Sequence, residues 1–247
     1  SDDALQIDAV YYSQKNSTDA VYGSDANTSL TRFNIDHEKL NTLQWNAAGI
    51  ETTYTINVKK TGNYHITFHY DNGKKEFQAF ETIKVDWQVP FAELTNYAFD
   101  PVSSGYENET LSDKDGNAYD IYLTEGKHTI SIKQENEPVM EAYRYALLLQ
   151  QHLTDFTLEI TKITGSDVDK NRNWKMTKYI PEIPSYLEAY ETVIHHIRYM
   201  LQDYCPNGNS GAVLAYLDEA EQFIKDIKKY PDEIALHTES LTGADNS

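Results

Sequence analysis

The stretch VKKTGNYHITFHYDNGKKEF, residues 58–77, sets the period of the N-terminal half of the chain. Tyr64, Ile66 and Phe68 alternate with His65, Thr67 and His69, the pattern of a strand with one buried and one wet face. TGN precedes this strand and DNG follows it. Gly, Asn and Asp accept the left-handed backbone of tight turns, so the strand is expected to lie between two short connections.

Working outward, the same rhythm holds to about residue 137. LQIDAVYY, ETTYTINV, NYHITFHY, ETIKVDWQV, AYDIYL and KHTISIKQ are each rich in β-branched and aromatic residues, and TG, DNG, DKDGN and TEGK punctuate them. Short strands at this spacing predict an antiparallel sandwich. After Pro138 the period changes to about three and a half. Ala142, Ala146, Leu149, Leu153, Phe156, Ile160 and Ile163 form one seam. Ile183, Leu187, Tyr190, Ile194, Ile197, Leu201 and Tyr204 form a second, and Val213, Leu217, Ala220, Ile224 and Ile227 a third. These seams predict three long antiparallel helices packed as a bundle. Within it Leu153, Phe156, Ile160, Ile194, Ile197, Leu201, Leu217 and Ile224 are expected to be buried. Pro231 ends the third helix, and the tail TESLTGADNS is polar without a strong pattern. The chain is therefore α+β: a sandwich over residues 1–137, then a bundle with a polar tail over 138–247.

At 247 residues with 40% apolar side chains, the chain has material for a sizeable core. A formal charge of -18 argues against nucleic acid, which is bound through Lys and Arg, and disfavours an anionic membrane surface. No run of eighteen apolar residues spans a bilayer, and no basic-then-apolar segment opens the chain; Ser1 is expected to follow any export signal. The one cysteine, Cys205, excludes an intramolecular disulfide and a multi-cysteine metal site. There are 19 Tyr, whose flat apolar face and polar edge suit strands, interfaces and sugar rings alike.

Two stretches carry a family resemblance. GIETTYTINVKKTGNYHITFHY resembles the paired strands of galactose-binding-like sandwiches, in particular carbohydrate-binding module families 6 and 35, and IDAVYY resembles their opening strand. VDWQVPF, YENETLSDKDGNAYDIYLTEGKHTISI and ITKITGSDVDKNRNWKMTKYIPEIP, with the helical pair that follows, resemble the sandwich-plus-helix module of large extracellular solute-binding lipoproteins in Gram-positive carbohydrate uptake systems. That resemblance spans roughly residues 5–235. It implies a jelly-roll, galactose-binding-like sandwich, an extracellular or cell-surface location, and neighbouring domains in a larger protein. Two departures stand out: Trp87 occupies a position where the family usually has Gly, and Ser247 is reached without the family's final strand.

Among candidate sites, Ile83, Val85, Trp87 and Val89 share one strand face, so Trp87 is expected in the core. Trp45, before a turn, fits core or rim, and Trp174, between helices, fits a cap on the bundle or an exposed platform. The segment TNYAFDPVSSGYENET reads as a long irregular loop, and loops on rigid sandwiches commonly bind ligands. Its Asn96, Tyr97, Phe99, Asp100, Tyr106 and Asn108 combine stacking surfaces with hydrogen-bonding groups, the pairing that recognises a neutral sugar, and Trp45 and Trp174 complete the candidate set. An ordinary crossover loop whose aromatics tuck against the sheet is the alternative.

DKDGN at 113–117 and DVDKNRN at 167–173 begin like EF-hand loops. Arg172 stands where the second needs Gly and Lys178 where it needs Glu, while the first runs into a strand, so neither is an EF-hand. DKDGN is expected to be a hairpin turn, and the only metal entertained is a structural Ca²⁺ in a simpler oxygen cage. His195 and His196 are adjacent on a helix and cannot clamp one ion together, and Cys205 lacks a motif-linked His and Asn. GxSxG, phosphate-loop and Rossmann motifs are lacking, and no Asp/Glu pair is singled out for glycoside hydrolysis. The sequence therefore reads as a non-catalytic module without a cofactor, binding an oligosaccharide or polysaccharide such as starch, another glucan or a plant cell-wall sugar. The alternatives are a spacer or protein-interaction module and, third, a glycoside hydrolase.

Overall fold

Residues 4–23, 32–33, 39–45, 47–74, 76–206 and 211–242 are described by the computed structural model. The chain divides into two units, Ser1–Pro138 and Val139–Ser247.

The first unit holds β1 (Gln14–Lys15), β2 (Val21–Gly23), β3 (Arg32–Phe33), β4 (Lys39–Leu40), β5 (Thr42–Gln44), β6 (Glu51–Val58), β7 (Gly62–Tyr64), β8 (Thr67–Tyr70), β9 (Ala79–Val85), β10 (Tyr97–Phe99), β11 (Glu107–Thr110), β12 (Ile121–Leu123) and β13 (Gly126–Glu135). The alternating sequences of β6, β9 and β13 align in one antiparallel sheet of order β1-β6-β13-β9-β10. Its register sets Ile130 opposite both Tyr54 and Val85, and Ile132 opposite both Thr52 and Ile83, which gathers the apolar side chains on one face. The other layer consists of the pairs β11-β8 and β12-β7. Tyr54, Ile83, Leu94, Phe99, Leu111 and Ile132 form the core between the layers, with Ile66, Phe68 and Tyr70 packed against them. Ile83 and Leu111 are fully buried, each worth about 1.5–3 kcal/mol relative to exposure. The pairs β2-β5 and β3-β4 complete the described strands.

The expected NYHITFHY strand is present but interrupted. β7 pairs with β12 and β8 pairs with β11, so the chain changes partner at His65–Ile66 while the inward direction of Tyr64, Ile66 and Phe68 persists. LQIDAVYY, by contrast, is not a strand. Tyr11 N–H bonds Asp8 C=O, and ladder-like bonding starts only at Ser13 N–H to Thr53 C=O, while Val10 is buried and Ile7, Ala9 and Tyr12 pack on the core. DKDGN is a turn: the Asp113 carboxylate accepts the N–H groups of Asp115 and Asn117, and Gly116 takes φ +85°. The hydrogen bonds from Asn117 and its neighbours hold the Asp113 carboxyl below its ordinary pKa.

The second unit is built from α1 (Glu137–Thr164), whose first two residues close the first unit, and from α2 (Ile183–Gln202), α3 (Ala212–Ile227) and α4 (Thr238–Thr242). α1 has 28 residues, about 42 Å at 1.5 Å per residue. Phe156, Ile160, Met176, Ile180, Leu187, Ile194, Ile224 and Ile234 belong to one buried cluster. Of the eight expected core residues, Phe156, Ile160, Ile194, Ile197 and Ile224 are buried, whereas Leu153, Leu201 and Leu217 are half-buried. In the N-terminal half of α1 the seam is broken: Ala142 is buried and Leu149 half-buried, but Ala146 between them is exposed. In α3 it begins at the fully buried Leu214, and Val213 is exposed; a straight helix drifts about 20° per heptad from a strict seven-residue repeat. The polar tail is not featureless either, for Thr238–Thr242 is helical and Leu241 is buried; residues 243–247 and 207–210 lie outside the described residues. Among the described residues, no helix is long and apolar enough to cross a membrane.

Candidate functional site

Pairing of β8 with β11 creates the site. The register places Asn108 opposite His69 and Thr110 opposite Thr67, all four on the face away from the core, while Phe68 and Glu109 face inward. The Thr67 and Thr110 hydroxyls are 2.7 Å apart. His69 Nδ1 lies 2.8 Å from Asn108 Oδ1. An amide oxygen only accepts, so this contact requires a proton on Nδ1 and fixes the ring's orientation. Tyr106, immediately before β11, lays its half-buried ring against His69, with centroids 5.2 Å apart and planes 19° from parallel. Tyr106, His69 and Asn108 thus present a flat ring surface beside an amide on a solvent-facing sheet.

A second layer stiffens this surface from below. Tyr97 O–H donates to Glu109 Oε1 at 2.5 Å and accepts Ser112 N–H at 3.1 Å. Burial first, then the hydrogen bond to Glu109, drives the Tyr97 hydroxyl well above its ordinary pKa, so it serves as a neutral donor. Tyr70 O–H donates to the Asp100 carbonyl at 2.9 Å, and Gln78 donates to the Asp100 carboxylate at 2.8 Å. Burial, followed by the Glu109 charge, pushes the Tyr70 hydroxyl to about 12.

The expected set divides accordingly. Tyr106 and Asn108 come together on the surface, with Asp100 exposed on the loop between β10 and β11. Tyr97 supports from beneath. Phe99 does not offer a stacking face: it is 5% exposed and meets Phe68, Tyr70 and Tyr97 edge-on, because the supposed loop contains β10, the edge strand of the main sheet. Asn96 is tied into the turn before β10, at φ +54°, with its N–H on Thr82 and its amide donating to Glu137. Trp45 is half-buried against the sandwich core. Trp174 is the cap and not the platform: it is 8% exposed, its indole N–H donates to Asp169 C=O, and the Arg172 guanidinium lies 4.1 Å over its ring. Trp87 is the opposite correction. It is 55% exposed, because the chain reverses at Asp86–Trp87 and the assumed continuous face ends at Val85. His69 was missing from the expected set; its outward phase was legible, but its partners come from β11. A separate open depression in the second unit is lined by Phe223, Asp226, Ile227, Lys229, Tyr230, Glu233 and His237. Among the described residues, no group of three or more His, Cys, Asp or Glu is arranged to hold a metal ion.

Residues 141–247 match the family of the bacterial solute-binding protein, 4-helix bundle domain. The matched region begins in the second turn of α1 and takes in every helix of the second unit. Similar solved structures include CBM35 from Paenibacillus barcinonensis, at 16% identity and TM-score 0.36, covering 51% of this chain and 85% of that one. A cycloisomaltooligosaccharide glucanotransferase of Paenibacillus sp., complexed with cycloisomaltoheptaose, is similar at 20% identity and TM-score 0.33, covering 51% of this chain and 16% of that one. A GH26-CBM35 beta-(1,4)-mannanase of Podospora anserina follows at 13% identity and TM-score 0.27, covering 50% of this chain and 24% of that one. No curated protein matches the sequence.

Proposed function

We propose that the protein is a non-catalytic carbohydrate-binding part of a bacterial extracellular solute-binding protein, and that the β8–β11 face holds a neutral glycan such as a glucan. The observation that carries this is the His69–Tyr106 stack held beside Asn108. A pyranose ring lies its C–H face on such a surface, and the adjacent amide and the Thr67 and Thr110 hydroxyls offer hydrogen bonds around its edge. The domain matched by residues 141–247 and the surplus of acidic over basic residues are consistent with a neutral solute. Affinity electrophoresis through gels containing α-glucans, β-glucans, xylans, mannans or pectins tests the reading. Retardation by at least one, relieved by Tyr106→Ala, supports it; free migration through all of them refutes it.

A second reading, an interaction module, is favoured by one observation: Tyr143, Leu147 and Leu148 on α1 are 57%, 47% and 63% exposed. Its partner would be a neighbouring domain of the same surface protein. Loss of that association in Leu147→Asp/Leu148→Asp, with glycan binding intact, would establish it beside the first.

A further inference from the structure

We infer that the hairpin tip at Asp86–Trp87 is a second carbohydrate-contact site, with the Trp87 indole as its stacking surface; this rests on the carbohydrate reading above. The turn is a two-residue hairpin: Val85 N–H bonds Gln88 C=O at 2.8 Å and Gln88 N–H bonds Val85 C=O at 3.1 Å. Both central residues are left-handed, Asp86 at φ 49° and Trp87 at φ 69°. Such a turn takes Asn-Gly or Asp-Gly by preference, because a side chain at the second position is strained. Here the largest side chain occupies that position and gains little packing in return, since it is 55% exposed.

The turn is also anchored more firmly than a hairpin tip requires. Asp86 Oδ1 accepts Thr129 N–H at 2.9 Å, Asp86 N–H bonds Thr129 C=O at 2.8 Å, and His128 Nδ1 lies 2.6 Å from Asp86 Oδ2. The far side of that imidazole is fixed by Thr124 C=O, 2.8 Å from Nε2. These contacts hold the backbone in the conformation that points Trp87 outward. Strain kept at an exposed, braced position is a mark of function rather than of packing.

The chemistry of the occupant follows from the surroundings. Asp86 and Gln88, on either side of the indole in sequence, are exposed and polar, and supply hydrogen-bonding groups of the kind that flank a sugar-stacking ring. The chain's charge of -18 opposes phosphates and anionic lipid. A single flat ring with polar flanks suits one sugar residue. Trp87 sits at the opposite end of β9 from Ala79, which pairs with Phe99 beside the loop that carries Tyr106; the strand's seven residues span about 20 Å. Two contacts so separated on one unit would raise avidity for a polymer over a short oligosaccharide.

The deciding variant is Trp87→Gly, because Gly relieves the left-handed strain: its melting temperature should equal or exceed that of the wild type while its affinity for a retarding neutral polysaccharide falls at least about fivefold. In the wild type, saturating polysaccharide should shield tryptophan fluorescence from acrylamide, a signal dominated by Trp87 because Trp45 is half-buried and Trp174 is buried. Wild-type binding with unchanged affinity in Trp87→Gly, or with no shielding, would overturn the second site and leave the Tyr106 face standing. No binding by the wild type to any neutral polysaccharide would overturn both. A drop in melting temperature on Trp87→Gly would show that the indole packs for stability, which also overturns the inference.

Discussion

The ring of Tyr106 rests on the imidazole of His69, 5.2 Å between centroids, while Asn108 fixes that imidazole at 2.8 Å. Removing the upper ring in Tyr106→Ala should weaken glycan binding by about 1 kcal/mol or more, and Tyr106→Phe should retain most of it. Isothermal titration of both variants separates ring stacking from the hydroxyl. Affinity should also be nearly constant between low and high salt, because no charge pairing is involved; a steep salt dependence would point to an ionic ligand.

Glu81 is expected to make the sandwich less stable in mild alkali. It lies on the core face of β9, opposite Tyr97 and Gln134, and its Oε2 finds no hydrogen-bond partner among the described residues. Burial first, then the charge of Glu135, raises its pKa from 4.5 to about 8. Between those values the native chain retains a proton that the unfolded chain has released, so stability falls as pH rises through this window, by up to about 5 kcal/mol. Glu81→Gln should flatten that slope and be the more stable protein at pH 8.5. Urea unfolding at pH 5, 7 and 8.5 measures it; parallel curves for the two proteins would refute the assignment.

The hairpin anchor has its own pH window. The hydrogen bond that the ring of His128 donates to the Asp86 carboxylate, and then the one to Thr124 C=O, raise His128 above 6.5, against the opposing effect of burial. Partial desolvation of Asp86 acts upward, but the hydrogen bonds from His128 and Thr129 outweigh it and carry the carboxyl below 3.8. A raised His contributes fully below its unfolded value and fades as pH rises through the folded one; a lowered Asp contributes above its unfolded value and fades on acidification. Their pairing therefore supports the turn most between about pH 4 and pH 6.5. In that range Asp86→Ala should speed amide exchange of Thr129 more than it does at pH 9.

In the second unit, Phe156 is 1% exposed and lies edge-on to Tyr186 at 5.4 Å. Phe156→Ala should cost about 3–5 kcal/mol in chemical unfolding. Leu201, half-buried near the end of α2, should cost distinctly less when replaced by Ala, about 1–2 kcal/mol. Equal losses would place the seam differently.

How much was legible depends on the range over which each signal acts. Alternation assigned Tyr64, Ile66 and Phe68 to the core and His65, Thr67 and His69 to water, and the structure keeps every one of those directions. The change of period after Pro138 announced the helices, and four of the seven residues chosen for the α1 seam fall in its second half, where Phe156 and Ile160 are buried. Where a local rule was extended through a reversal it failed. The face drawn through Ile83, Val85, Trp87 and Val89 assumed an unbroken strand, and the Asp86–Trp87 turn sends the indole into solvent. The loop assigned to residues 95–110 contains β10 and β11, too short to declare themselves by period.

By itself the sequence determined the two secondary-structure regimes, the acidic character and the inward or outward phase of each long element, because these depend on neighbours one to four residues away. Only the tertiary structure decided which outward residues meet. Thr67, His69, Tyr106, Asn108 and Thr110 become one surface through the antiparallel register of β8 and β11, and Tyr97 becomes its support through the edge of another sheet. Register is fixed by how two faces bury their apolar side chains against a common core, a sum over distant partners that no local pattern contains.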